Sequence, residues 1–121
     1  MSKVLVTGGV RSGKSRHAEG LVANLGGAVT YVAAGPQHDD PDWAARIAAH
    51  QARRPADWTT QETRDVAGVL SAATGPVLVD CLGTWLNAVT DEAGLWEAPV
   101  DEVESHVLGL VDDMVGALTA A

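Results

Sequence analysis

The stretch from Lys3 to Leu25 constrains the fold of this chain more than any other. An apolar run, Val4, Leu5 and Val6, leads into "GGVRSGKSRH" at residues 8–17, so that Gly8, Gly13, Lys14 and Ser15 satisfy the pattern G-x-x-x-x-G-K-[ST]. That pattern works between a strand and a helix. Its glycines let successive backbone N–H groups turn toward an anion, and the following helix points its positive end at the same place. Lys3 to Thr7 reads as a short buried strand. Ala18, Leu21, Val22 and Leu25 then recur at helical spacing over Lys14 to Leu25, and Gly26 and Gly27 supply the stop. Such a unit holds a nucleoside triphosphate. Lys14 is placed to reach the β- and γ-phosphates and the Ser15 hydroxyl to ligate Mg²⁺.

The rest of the chain repeats the alternation. Ala28 to Ala34 reads as a second strand closed by the breaker-rich "GPQHDDP". Asp40 before Pro41 is an N-cap followed by a first-turn proline, opening a helix that runs to about Arg53 and stops before Pro55. "ADWTTQE" suggests a short edge strand, and Val66, Val69 and Leu70 a helix ending near Gly75. "GPVLVD" at 75–80 is a further apolar strand with an acid at its C-terminal end. From Asp101 to about Ala120, Val103, Val107, Leu110, Val111, Met114 and Leu118 share one helical face that needs something to cover. Strands alternating with helices predict an α/β fold with a parallel, doubly wound sheet in a single domain over 1–121. The topology reads as unfinished, because the last helix returns the chain toward a strand that does not follow.

Charge narrows the partners. Sixteen acidic and eight basic residues give a formal charge of −8, the wrong sign for neutralising nucleic-acid phosphates, so nucleic acid is not expected and any nucleotide needs a local site. No stretch approaches the roughly 20 apolar residues of a membrane span. The N-terminal run is too short for a signal peptide, and Cys81 is the sole cysteine, which together suit a cytoplasmic protein.

Three further side chains invite chemical readings. Asp80 ends the "VLVD" strand, where P-loop proteins place the acid that holds the metal; a strand-end turn or helix cap is the plainer alternative. His50 lies in "WAARIAAHQARRP", on the helical face of Trp43 and Ile47. A lone histidine there more often packs or meets solvent than reacts. Arg46, Arg53 and Arg54 change that balance, because clustered guanidiniums hold phosphate oxygens beside a nucleophilic imidazole. His17, His38 and His106 read as structural or solvent-facing, Asp39, Asp40 and Asp42 as a helix-start charge cluster, and Trp85 and Trp96 as packing or the lining of a pocket.

"VTGGVRSGKSRHAE", "AARIAAHQARRPADWTTQE" and "VLVDCLGTWLNAV", in this order, resemble the bifunctional adenosylcobinamide kinase / adenosylcobinamide-phosphate guanylyltransferase family of cobalamin biosynthesis. The resemblance implies a P-loop fold, Mg²⁺, GTP and ATP as nucleotide substrates, and adenosylcobinamide and adenosylcobinamide phosphate as acceptors. It implies that His50 is the nucleophile that carries GMP, with Lys14 assisting phosphate transfer. The implied nucleotide site comprises Gly8, Gly9, Val10, Arg11, Ser12, Gly13, Lys14 and Ser15, then Ala33, Ala34 and Gly35, then Gln51, Ala52, Arg53 and Arg54, with Glu62 and Asp80. Ser15 and Asp80 would hold the metal, and Glu62 would read the guanine edge, as a carboxylate accepts from N1–H and the exocyclic amine. Family members form trimers and continue into further strands, which agrees with the unfinished pattern. Two other readings stand beside this one: another small-molecule P-loop kinase, and a nucleotide-binding fragment without turnover.

Overall fold

A computed structural model of the chain describes residues 3–9, 12–25, 27–35, 41–52, 55 and 57–120, apart from the side chains of 43, 46, 47, 50 and 51. The elements run α1 (Lys14–Ala23), β1 (Thr30–Ala33), α2 (Pro41–Ala52), β2 (Thr59–Glu62), α3 (Val66–Ala72), β3 (Val77–Asp80), α4 (Leu82–Glu92) and α5 (Val100–Ala120). The strands form a parallel sheet in the order β2-β1-β3. This is the expected α/β class, and its register determines what meets at its ends. Thr30 is level with Thr59 and Val77, and Ala33 with Glu62 and Asp80.

A central parallel strand is buried on both faces, so its alternating side chains are both apolar. Tyr31 is 5% exposed and Val32 fully buried, and in a pleated strand they point to opposite sides. On the Val32 side, Val66 of α3, Trp85 and Val89 of α4 and Met114 of α5 close one cluster, with Val77 and Val79 of β3 packed against it. Alternation places Tyr31, Leu78 and Asp80 on the other side. There α1 packs against β3.

The stripe of α5 finds its cover. Val107, Leu110 and Val111 pack on the cluster and Met114 is buried, with α3 as the main neighbour of α5. Asp101 and Glu102 in the first turn favour the positive end of that helix. Asp65 caps α3 by accepting from the Gly68 N–H at 3.0 Å.

Two expectations are corrected. Lys3 to Thr7 is not a strand: residues 3–9 take no regular structure, and Val4 and Leu5 are 71% and 75% exposed. A short apolar run becomes a strand only when a neighbour supplies the ladder and helices cover its faces. Among the described residues the sheet ends at β3, without a ladder to this run. The second is an omission. Helix α4 begins directly after β3, in a stretch to which the sequence pattern assigns no element. Its opening looks unhelical, with Cys81 as cap and Gly83 and Thr84 in the first turn. Leu82, Trp85, Leu86 and Val89 nevertheless keep helical spacing, and Trp85, Ala88 and Val89 are buried.

Trp85 is the bulkiest of the buried side chains of α4. It is 5% exposed, donates its indole N–H to the Arg64 carbonyl at 2.9 Å, and borders a cleft of about 410 Å³ with Arg64, His106 and Met114. Trp96, by contrast, is 59% exposed and donates to Asp91. Trp85→Ala is expected to cost about 3–5 kcal/mol in urea unfolding, while Leu108→Ala on the outside of α5 changes stability by less than about 0.5 kcal/mol. Equal effects would contradict this placement of the core.

Candidate functional site

Ligands of open parallel sheets gather at the carboxyl ends of the strands. Here that edge is the row Ala33, Glu62 and Asp80, level across β1, β2 and β3. The start of α1 comes to the same edge, because Ser15 in its first turn donates its hydroxyl to Asp80 Oδ1 at 3.4 Å. Ser15, directly after the glycine loop, and the strand-end acid meet across 65 residues of sequence.

Two bonds among the described residues end on the Gly9 carbonyl. Ser12 donates its backbone N–H to the Gly9 carbonyl at 3.3 Å, and Lys14 Nζ donates to that carbonyl at 3.2 Å. Lys14 thus folds back over the loop, where an anion cradled by its amides would meet the ammonium. Gly13 caps α1 with φ 83°, and among the described residues no side chain caps this helix end. The first-turn N–H groups stay turned toward the site, with a backbone conformation that favours glycine.

The acid is held from two sides. The Tyr31 hydroxyl donates to Asp80 Oδ2, so each carboxylate oxygen accepts from one hydroxyl, Ser15 on one and Tyr31 on the other. Beyond Asp80 the chain enters α4 through a reciprocal cap. Thr84 N–H donates to Cys81 Sγ, and Cys81 N–H to Thr84 Oγ1. Gly35, just past β1, lies so close that a Cβ there would stand 3.3 Å from Thr84 Cβ. A side chain at 35 would press on the Thr84 side chain at the start of α4.

Ser15 and Asp80 supply a hydroxyl and a carboxylate, the hard oxygen donors that suit Mg²⁺, an ion that keeps several waters and leans on one or two carboxylates and substrate phosphates. No group of three or more His, Cys, Asp or Glu stands together among the described residues, so a closed all-protein cage is not what these residues build.

Of the other expected residues, Ala34 is fully buried and the backbone N–H of Ala34 donates to the Asp80 carbonyl at 3.3 Å. Gly8 and Gly9 lie exposed ahead of α1, and Glu62 is exposed at the end of the edge strand β2. His50 and Gln51 lie in the last turns of α2 and Ala52 ends it. The side chains of His50 and Gln51, and the whole of Val10, Arg11, Arg53, Arg54, His38, Asp39 and Asp40, lie outside the described residues. His17 is exposed on α1. Tyr31 is the site residue that sequence reasoning missed. Its signal was the pleat: a tyrosine on the same face as the strand-end acid one strand away.

Comparison with known proteins gives one family. The family model described as cobinamide kinase / cobinamide phosphate guanyltransferase matches residues 4–119. The bifunctional adenosylcobalamin biosynthesis protein CobP of Pseudomonas aeruginosa is 49% identical over 87 residues, covering 69% of this chain and 50% of that protein. The protein of that description designated CobU in Salmonella typhimurium is 36% identical over 122 aligned positions, covering 98% of this chain and 66% of its own length. Its Escherichia coli counterpart is 41% identical over 96 positions, covering 75% of this chain and 52% of its own length. The chain therefore spans between half and two thirds of these relatives. No solved structure matches it.

Gly13→Ala tests the loop. Among the described residues no atom lies within 4 Å of a Cβ at this position, so the cost is that of the backbone conformation. We expect about 1–2 kcal/mol lost in urea unfolding and weaker binding of inorganic triphosphate by calorimetry. Unchanged stability and affinity would show that the left-handed cap is unimportant.

Proposed function

Because the chain belongs to the cobinamide kinase / cobinamide phosphate guanyltransferase family, we propose that it carries out that family's two transfers in cobalamin biosynthesis, in the cytoplasm. In one, the hydroxyl of the aminopropanol arm of adenosylcobinamide takes the γ-phosphoryl group of ATP or GTP. In the other, GMP passes from GTP to adenosylcobinamide phosphate, giving adenosylcobinamide-GDP and pyrophosphate. The observation that supports this reading best is the meeting of Ser15 with Asp80 at the end of a parallel sheet, beneath a G-x-x-x-x-G-K-S loop. A phosphate-gripping loop and a metal-suited acid together suit a bound triphosphate better than either does alone.

In this reading the loop amides from Gly8 to Ser15 bind phosphate oxygens, and Lys14 moves from the Gly9 carbonyl to the β- and γ-phosphates. Ser15 and Asp80 hold Mg²⁺, which when bound neutralises phosphate charge and orients the chain of phosphates. Ala33, Ala34 and Gly35 flank the nucleotide with backbone, and Glu62, level with Asp80 two strands away, accepts from guanine.

For the second transfer, a neutral His50 nitrogen attacks the α-phosphorus of GTP. The bond to the β-phosphate bridging oxygen breaks, pyrophosphate leaves, and GMP remains as a phosphoramidate. A phosphate oxygen of adenosylcobinamide phosphate then attacks the same phosphorus and the imidazole leaves with its electron pair. Splitting one displacement into two gives each step a competent leaving group. Gln51, Ala52, Arg53 and Arg54 follow His50, and the two arginines among them bring guanidinium charge to the phosphates.

Mass spectrometry after incubation with MgGTP tests this. An acid-labile GMP adduct on the His50 peptide, absent in His50→Ala, is the expected result, with Glu62→Gln forming it at a reduced preference for GTP over ATP. Nucleotide binding without any adduct would instead favour a plain P-loop kinase or a fragment that binds without turnover.

A further inference from the structure

The Asp80 carboxylate sits at a strand end, where rotation about its side-chain bonds would let either oxygen face the loop. Two contacts remove that freedom. Ser15 lies 3.4 Å from Oδ1, and Oδ2 accepts from the hydroxyl of Tyr31. Tyr31 and Asp80 belong to adjacent strands, on one face and two residues apart along the register. A diagonal pair of this kind lies within reach of an aromatic side chain but not of a short one. The tyrosine ring is itself fixed, 5% exposed in the central strand. A buried ring therefore delivers a hydroxyl to the oxygen opposite the one that accepts from Ser15.

We propose that Tyr31 is a positioning residue, holding Asp80 so that its other oxygen is presented beside Ser15 to the cation of a bound metal–nucleotide complex. This rests on the reading of the loop and Asp80 as a nucleotide site. Tyr31 touches neither nucleotide nor metal, and acts only through the carboxylate. Its effect belongs to the metal-dependent part of binding, a part that damage to the core alone would not single out.

The test is calorimetric titration of GTP into the full chain and into Tyr31→Phe, each with and without Mg²⁺. The phenylalanine retains the buried ring and removes only the hydroxyl. The gain in affinity that Mg²⁺ confers is expected to fall about tenfold, the scale of one hydrogen bond to a charged group, while metal-free GTP binding stays at the wild-type level. An undiminished Mg²⁺ effect overturns the proposal, as do equal losses with and without the ion.

A second measurement needs no variant. Tyr31 is the only tyrosine, so ¹³C-labelled tyrosine gives one ring environment. Its signal is expected to move when Mg²⁺ joins the GTP complex and to lose that response in Asp80→Asn. A wild-type signal indifferent to Mg²⁺ overturns the role. Wild-type protein that binds no GTP defeats the nucleotide-site reading and this proposal with it. Mg²⁺-enhanced GTP binding with a normal Tyr31→Phe defeats this proposal alone.

Discussion

Everything in this molecule that bears on chemistry depends on the parallel pairing of β1 with both of its neighbours. Parallel strands carry their C-terminal ends to a common edge, and the register sets Ala33, Glu62 and Asp80 in one row along it. The pairing also demands helices on both faces. On one side α3, α4 and α5 close over Val32, and on the other α1 lies against β3 with the glycine loop at its head. The helix start reaches the strand-end acid because both belong to the same face of the sheet.

The electrostatic logic follows from that placement. The chain is acidic overall, with a formal charge of −8, so a triphosphate gains nothing from the long-range field. In the proposed reading, local devices outweigh it: loop amides, the start of α1, the Lys14 ammonium, and a cation that Ser15 and Asp80 would hold. Each acts within a few ångströms, where screening is weak compared with that over the wider surface.

Much of the architecture was legible because patterns of period 2 and 3.6 are local. The run ending at Asp80, the edge strand at Thr59–Glu62 and the stripe from Val103 to Leu118 were read correctly from residue type and spacing. The stripe found its cover in α3, whose short sequence gave only a weak signal. Where the reading failed, the deciding interaction was tertiary. Val4, Leu5 and Val6 have strand-like chemistry, but a strand exists only with a paired neighbour, and sequence composition does not report pairing. For α4, poor opening residues were outweighed by the burial of Trp85, Ala88 and Val89. The site shows the same division. Gly13, Lys14, Ser15 and Asp80 could be read as a motif, whereas Tyr31 enters through a diagonal across two strands that only the register reveals.

The central claim is that this strand edge grips the phosphates of a nucleoside triphosphate. Calorimetric titration of the wild-type chain with GTP and with GMP, both in Mg²⁺, tests it most directly, because the loop and Lys14 engage phosphates that GMP lacks. The account predicts that GMP binds roughly a hundredfold more weakly than GTP, a difference of ~2.8 kcal/mol. Equal affinities would place recognition elsewhere and contradict it.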